Sequence, residues 1–266
     1  MPLDNAGPAW LFCPADRPER FEKAAAAADI VILDLEDGAG DKPAAREALL
    51  STPLDPHRTV VRINPGDSPE QKLDLETLAR TRYTTVMLPK CESAQQVSAL
   101  APLEVVLIVE TPLGALRVDE TAAVDNTVGV MWGAEDLFGF MGGTANRFPD
   151  DSYRDVAKHV RSRSLLAAKA FGKQALDSVY IDIKNLDGLR REVDDAVAVG
   201  FDIKVAIHPT QVAVIREGYL PSPEQVQWAR HVLAAAEEQR GAFAFEGIMV
   251  DAPVLRRAER IVQLAP

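Results

Sequence analysis

Cysteine is nearly absent: the 266-residue chain holds two, Cys13 and Cys91, far apart in sequence. No disulfide framework is expected from such a pair, and a reducing compartment is the expected setting. Neither thiol has an acid–base partner readable in the sequence, which argues against nucleophilic thiol chemistry. Positive charge is short as well. Lysine and arginine number 29 against 40 acidic residues, a net charge of −11. That balance excludes a general nucleic-acid binder, because neutralising phosphates needs a basic surface. Charged residues interrupt every apolar stretch before it could span a bilayer, so no membrane segment is expected. Met1 to Pro8 lack a basic segment followed by an apolar run, so no signal peptide is expected and the chain reads as cytoplasmic. A dinucleotide-binding glycine fingerprint is also missing.

What the chain does have is a regular alternation. Apolar residues make up 47% and charged ones 26%, ordinary for a protein with a sizeable core. Short apolar, β-branched runs recur at Trp10–Cys13, Ile30–Leu35, Thr59–Ile63, Thr85–Leu88, Val105–Val109, Val128–Trp132, Val179–Ile183 and Ile203–Ile207. Most are continuous rather than alternating, as strands covered on both faces should be. Helical patterns separate them at Pro18–Ala28, Lys42–Leu50, Asp74–Thr81, Ala94–Ala101, Tyr153–Phe171 and Asp187–Val199. Ser93 reads as an N-cap, and Gly172 and Gly200 as C-cap signals. Eight βα units without the glycine fingerprint favour a closed (β/α)8 TIM barrel over an open doubly wound sheet. The barrel is expected over 1–220, with a long loop at Gly139–Asp151. Residues 221–266 form a surplus helical extension, with a helix from Pro221 through Arg240 and another over Val254–Leu264. That tail reads as a packing extension, a lid, or an arm exchanged between subunits.

Barrel active sites lie at the carboxyl ends of the strands, and polar residues gather at those ends here. Strand one leads into Asp16-Arg17, strand two into Glu36-Asp37, strand three into Arg62-Ile63-Asn64 and strand four into Pro89-Lys90. Glu110 follows strand five, Asp136 follows strand six, Asp182 falls in strand seven, and His208 follows strand eight. Neighbouring strands stand about 4.8 Å apart, so Glu110 and Asp136 could share one ion. Two carboxylates with no histidine or cysteine nearby suit a hard cation completed by water and substrate oxygens; helix capping or pairing with an arginine is the plainer alternative. Arg62 offers a fixed fork of donors for a carboxylate or an enolate oxygen. Glu36 is the expected orienting partner of that guanidinium, and a purely structural pair with Glu36 or Asp37 is its plainer reading. Arg17, Arg20 and Lys42 are candidate receivers of an anionic ligand's phosphates, or else solvated charges at helix starts. His208 stands outside the expected site.

The ordered series Leu33-Asp34-Leu35-Glu36-Asp37-Gly38, Lys42, Ala45-Arg46, Val61-Arg62-Ile63-Asn64, Leu88-Pro89-Lys90, Glu110-Thr111, Gly133-Ala134-Glu135-Asp136-Leu137 and His208-Pro209-Thr210-Gln211 spans nearly the whole chain. It resembles the citrate lyase β-subunit-like branch of the HpcH/HpaI aldolase family, which includes malyl-CoA and citramalyl-CoA lyases. The resemblance implies a TIM barrel, a homotrimer, and Mg²⁺ held by Glu110 and Asp136. It also implies Arg62 on the substrate carboxylate or thioester oxygen and coenzyme A contacts at Arg17 and Lys42. Asp251, in Met249-Val250-Asp251-Ala252-Pro253, matches the acid of a lid supplied by a neighbouring subunit; capping the last helix is its simpler role. The expected activity is Mg²⁺-dependent carbon–carbon cleavage, or formation, of a small β-hydroxyacyl-CoA, with Arg62, Asp251, Glu36 and Asp37 as catalytic candidates. A free-acid 4-hydroxy-2-oxo acid aldolase and a β-like subunit acting on an acyl-carrier-protein thioester within a citrate lyase complex are the competing readings. A malate synthase-type side activity fits the same residues.

Overall fold

The computed structural model describes residues 6–66, 68–239 and 241–265. The first five residues of the expected signal-free start, and the expected helix end at Arg240, lie outside the described residues. The chain divides into two compact units, Met1–Ile215 and Arg216–Pro266.

In the first unit eight parallel strands close into a barrel in sequence order. They are β1 (Ala9–Pro14), β2 (Ile30–Asp34), β3 (Thr59–Arg62), β4 (Thr85–Leu88), β5 (Glu104–Val109), β6 (Thr127–Trp132), β7 (Gln174–Asp177) and β8 (Ile203–Ala206). Closure is direct, with Trp10 of β1 paired to Val205 of β8. All eight strands contribute to one buried cluster, among them Trp10, Ile32, Met87, Ile108, Leu176 and Val205. Leu11, Val31, Leu33, Val61 and Val130 are equally buried but stand outside that cluster. Burial of both sets explains why the strands read as unbroken apolar runs, and each such side chain contributes about 1.5–3 kcal/mol on leaving water.

Between the strands run α1 (Phe21–Ala27), α2 (Lys42–Ser51), α3 (Pro69–Leu78), α4 (Ala94–Ser98), α5 (Pro112–Leu116), α6 (Val118–Ala122), α7 (Ala134–Met141), α8 (Asp155–Ala170) and α9 (Leu186–Val199), followed by α10 (Pro209–Tyr219). Ser93 caps α4 in a reciprocal box with Gln96, and Gly200 ends α9 in the left-handed conformation. The expected helix over Asp74–Thr81 begins earlier instead. Ser68 accepts from the main-chain N–H of Glu70, and Pro69 occupies the first turn, a start signal that outranks the apolar spacing further on.

The seventh strand is a correction. The run Val179–Ile183 has the stronger β-branched composition, yet Gln174–Asp177 is the strand, paired with β6 and β8. Ile181 and Ile183 are exposed, so that run never enters the wall. Asp182 is a turn residue whose Oδ1 accepts the N–H of Lys184 at 3.1 Å.

In the second unit α11 (Pro223–Glu237) and α12 (Ala252–Leu264) pack with a hairpin of β9 (Phe243–Phe245) and β10 (Ile248–Val250). Ala229, Val232, Val250 and Ala258 form its core, with Trp228, Phe243, Leu255 and Ile261 packed against them. No helix among the described residues is long and apolar enough to cross a membrane.

Candidate active site

Asp34 ends β2, Arg62 ends β3, and the two are register partners across the parallel pair. Arg62 Nε donates to Asp34 Oδ1 at 2.7 Å and Nη2 to Oδ2 at 2.5 Å. Its Nη1 lies 2.9 Å from Glu36 Oε2, and the guanidinium stands 4.7 Å over the Phe12 ring. Asp34 is fixed in turn by the main-chain N–H groups of Glu36 and Gly38, at 2.9 and 2.8 Å. Any side chain at Gly38 would strike that carboxylate. Burial opposes the guanidinium charge, but Asp34 and Glu36 together raise its pKa well above the ordinary value. A forked, stacked arginine needs no reorganisation to meet a developing anion. The expected orienting role therefore falls mainly to Asp34, with Glu36 adding one contact.

The turn after β3 is braced from below. Asn64 donates its main-chain and side-chain N–H groups to Asp74 Oδ2 at 2.8 and 2.7 Å, while Arg46 Nε reaches Asp74 Oδ1 at 2.8 Å. Asp74 is fully buried, so the Ala45-Arg46 and Ile63-Asn64 motif residues hold the loop that carries Arg62.

Lys90, just past β4, is the hub that links the remaining acids. Its ammonium touches Glu36 and lies 3.5 Å from Asp37 and 3.6 Å from Asp136. Its main-chain N–H donates to Glu110 Oε1 at 2.9 Å. Burial alone would lower its pKa, but the contacts with Glu36 and Glu110 raise it above the lysine range. From sequence Lys90 is a rim residue without a role; a cation at a strand end among the rim acids Glu36, Asp37, Glu110 and Asp136 is the available signal.

Glu110 is 3% exposed. Burial first, and then the facing charge of Asp136, push its pKa up to about 8, against the opposing pull of Lys90. Oε2 accepts no hydrogen bond among the described residues. Gly133 makes room beside it, since a Cβ there would come within 2.9 Å of that oxygen. Asp136 lies in the first turn of α7. A carboxylate oxygen without a hydrogen bond, on a buried side chain whose pKa is raised by burial and by a second acid, fits a small hard cation, and every donor is oxygen. Among the described residues no group of three or more His, Cys, Asp or Glu could hold a metal ion, so the remaining ligands would be water and substrate oxygens.

Arg17 and Lys42 take no part in the ion pairs of this hub. The Arg17 side chain is 57% exposed, and among the described residues its ion pair is with Asp16, at 3.7 Å. Lys42 donates to the carbonyl oxygens of Leu35 and Glu36 at 2.9 and 3.1 Å. It thus pins the β2 exit turn, and at least two of its three donors are committed there. Asp251 belongs to the second unit, where Oδ1 accepts the N–H of Val254 at 3.4 Å and caps α12. Cys13 and Cys91 are buried with thiols pushed up to about 11 and about 12, unsuited to nucleophilic work. A cavity of about 380 Å³ opens at the ends of β1 and β8, lined by Phe12, Cys13, Arg20, Lys23 and His208 among others. Phe12 thus belongs to two features: its ring carries the Arg62 guanidinium, and the residue also lines a cavity that includes Arg20 and Lys23.

A (β/α)8 barrel whose carboxyl-end rim pairs a preorganised guanidinium with an unsatisfied carboxylate is the architecture of an enzyme that stabilises oxyanions. The chain belongs to the HpcH/HpaI aldolase/citrate lyase family, whose model matches residues 9–209. It is 62% identical to a citrate lyase subunit β-like protein of Mycobacterium tuberculosis, over 100% of this chain and 98% of that one. It is 34% identical to the mitochondrial citramalyl-CoA lyase of Rattus norvegicus, over 97% of this chain and 85% of that one. A crystal structure of the CitE protein of M. tuberculosis in complex with magnesium, acetoacetate and coenzyme A superposes with a TM-score of 0.96. The two share 62% identity, with 98% of each chain covered.

Proposed function

We propose that this chain is a Mg²⁺-dependent carbon–carbon lyase that cleaves, or in reverse forms, a small β-hydroxyacyl-CoA, giving acetyl-CoA and an oxo acid. The observation that carries the reading is the Arg62 fork held on Asp34, at a rim where Glu110 Oε2 accepts no hydrogen bond among the described residues, with Phe12 shared between that guanidinium and a cavity lined by cations. The magnesium, acetoacetate and coenzyme A bound by the M. tuberculosis relative are the ligands this arrangement would take. Glu110 and Asp136 would hold Mg²⁺, which supplies Lewis acidity toward the substrate's carboxylate and hydroxyl oxygens.

The chain's own residues account for the rest. In the cleavage direction a rim carboxylate takes the β-hydroxyl proton. Asp37 is assigned that task because its side chain is 67% exposed and its one ion-pair contact among the described residues is Lys90 at 3.5 Å. The carbon–carbon bond breaks as the carbonyl forms, and its electron pair moves onto the thioester as an enolate. Arg62 donates to that enolate oxygen, held in place by Asp34 and Glu36. Protonation at carbon then completes acetyl-CoA, and Asp251 of a neighbouring copy in a homotrimer is assigned as the acid. In condensation the same group removes the acetyl proton. Arg20 and Lys23 at the cavity mouth, with Arg17 at the surface, receive the phosphates; Lys42 contributes by holding the β2 turn.

A panel of malyl-, citramalyl- and 3-hydroxy-3-methylglutaryl-CoA, each with Mg²⁺ and product identification, tests this. Chelator-sensitive release of acetyl-CoA and an oxo acid from one ester is the expected result. Turnover of free 4-hydroxy-2-oxo acids only, or of an acyl-carrier-protein thioester only, would replace it with one of the competing readings.

A further inference from the structure

Lys90 combines three features that a solvent-facing rim lysine does not need. Its backbone sits at φ +50°, in the left-handed region that side chains with a Cβ rarely adopt,. That conformation coexists with an N–H aimed at Glu110 Oε1 at 2.9 Å, while the ammonium on the same residue reaches Glu36, Asp37 and Asp136. One residue therefore grips all four acids of the hub, two of which are the carboxylates assigned to the metal. Acids outnumber cations at this rim. Asp34, Glu36, Asp37 and Asp136 outnumber the cations of Arg62 and Lys90 that they face, and Glu110 stands beside them as a fifth acid.

We propose that Lys90 is the positioning residue of the metal site, an internal counter-ion that holds Asp136 and Glu36 until a divalent cation displaces its ammonium from Asp136. The main-chain N–H keeps Glu110 Oε1 occupied, so that Oε2 is the oxygen left for the ion. The ammonium withdraws toward Glu36, its nearest partner, when Asp136 turns to the cation. Because a like charge within a few ångströms opposes cation binding, Lys90 weakens metal affinity while it steadies the metal-free rim. The inference rests on the metal reading given under the proposed function.

Mn²⁺ binding to the full chain, read by electron paramagnetic resonance of free Mn²⁺, tests the proposal. Lys90→Met removes the charge and keeps the stem; Lys90→Gly removes it and suits the left-handed backbone, which covers the case where the methionine variant folds poorly. Both should bind Mn²⁺ roughly three- to tenfold more tightly than wild type, the direction set by removing a nearby like charge. Lys90→Arg, which keeps the charge, should stay within about twofold of wild type by the same argument. A purely structural lysine predicts unchanged or weaker binding in all three variants, and that result overturns the proposal while leaving the metal site standing. Absence of Mn²⁺ binding in the wild type overturns both.

Discussion

Asp177 and Glu110 are both buried carboxylates at strand ends of one barrel, and their surroundings treat them in opposite ways. Asp177, at the end of β7, is 1% exposed. It accepts from Trp132 Nε1 at 2.7 Å, Arg161 Nε at 2.9 Å and Lys204 Nζ at 2.9 Å. Burial pushes its pKa up, yet Lys204 and Arg161 outweigh that and hold it at about 2. Lys204 is fully buried and passes the connection on to Glu192 at 2.9 Å. Glu192 meets Arg147 at 2.5 Å, and Arg147 stacks 3.8 Å from the Tyr153 ring. Glu110 has one main-chain N–H for company and sits at about 8. Equal burial therefore says nothing about purpose; the partners do. A saturated network fastens helices α8 and α9 to the wall, whereas an unsaturated one leaves a carboxylate with room for a further partner.

The largest expected effect separates the two clusters by stability. Lys204→Met removes the fully buried ammonium that Asp177 and Glu192 share, and should cost about 3–5 kcal/mol in urea unfolding, as breaking a buried pair does. A loss below about 1 kcal/mol, the worth of a surface pair, would mean that the network is not what fastens the wall. Arg62→Lys attacks the other cluster. It keeps the charge but loses the fork, and kcat should fall about 10²- to 10³-fold, the scale of losing an oxyanion donor. Little change in turnover would remove Arg62 from the chemistry.

The pH dependence of stability should show opposite signs at the two sites. For Glu110 the folded pKa of about 8 lies above the ordinary glutamate value of 4.5. Its contribution is full below 4.5 and drains away as pH rises through 8 in metal-free protein. For Asp177 the folded value of about 2 lies below 3.8, so its contribution is present above 3.8 and lost as pH falls through 2. Glu110→Gln should flatten the decline between 4.5 and 8 without touching the acid limb. An unchanged alkaline limb in that variant would place the raised titration elsewhere. The smallest effect belongs to Arg17→Ala, which should leave stability within about 0.5 kcal/mol because the side chain is exposed. Its signature should be a weaker apparent affinity for coenzyme A; unaltered binding would take Arg17 out of the phosphate contacts.

Much of the barrel was legible because both faces of each strand are buried, leaving continuous apolar runs at seven of eight positions. β7 escaped because Gln174-Ala175-Leu176-Asp177 is short and polar at both ends, its last residue serving the ion network behind the wall. The rim was legible at Arg62, Glu110 and Asp136, which sit at strand ends where periodicity can place them. Asp34 as partner of Arg62 depends on strand register, which a continuous apolar run does not encode. Lys90 depends on a left-handed backbone at a lysine, and no sequence pattern announces that. Lys42 shows the converse, a cation whose position suggested phosphate but whose ammonium is committed to main-chain carbonyls.

The account stands on Glu110 and Asp136 being an incomplete cation site. The melting temperature of chelator-treated protein with and without Mg²⁺, compared between wild type and Glu110→Gln, tests this most directly. Binding to the folded state alone raises stability with ligand concentration, so the wild type should gain several degrees with Mg²⁺ well above its dissociation constant and Glu110→Gln should gain none. An equal Mg²⁺ response in both proteins, or none in the wild type, would contradict it.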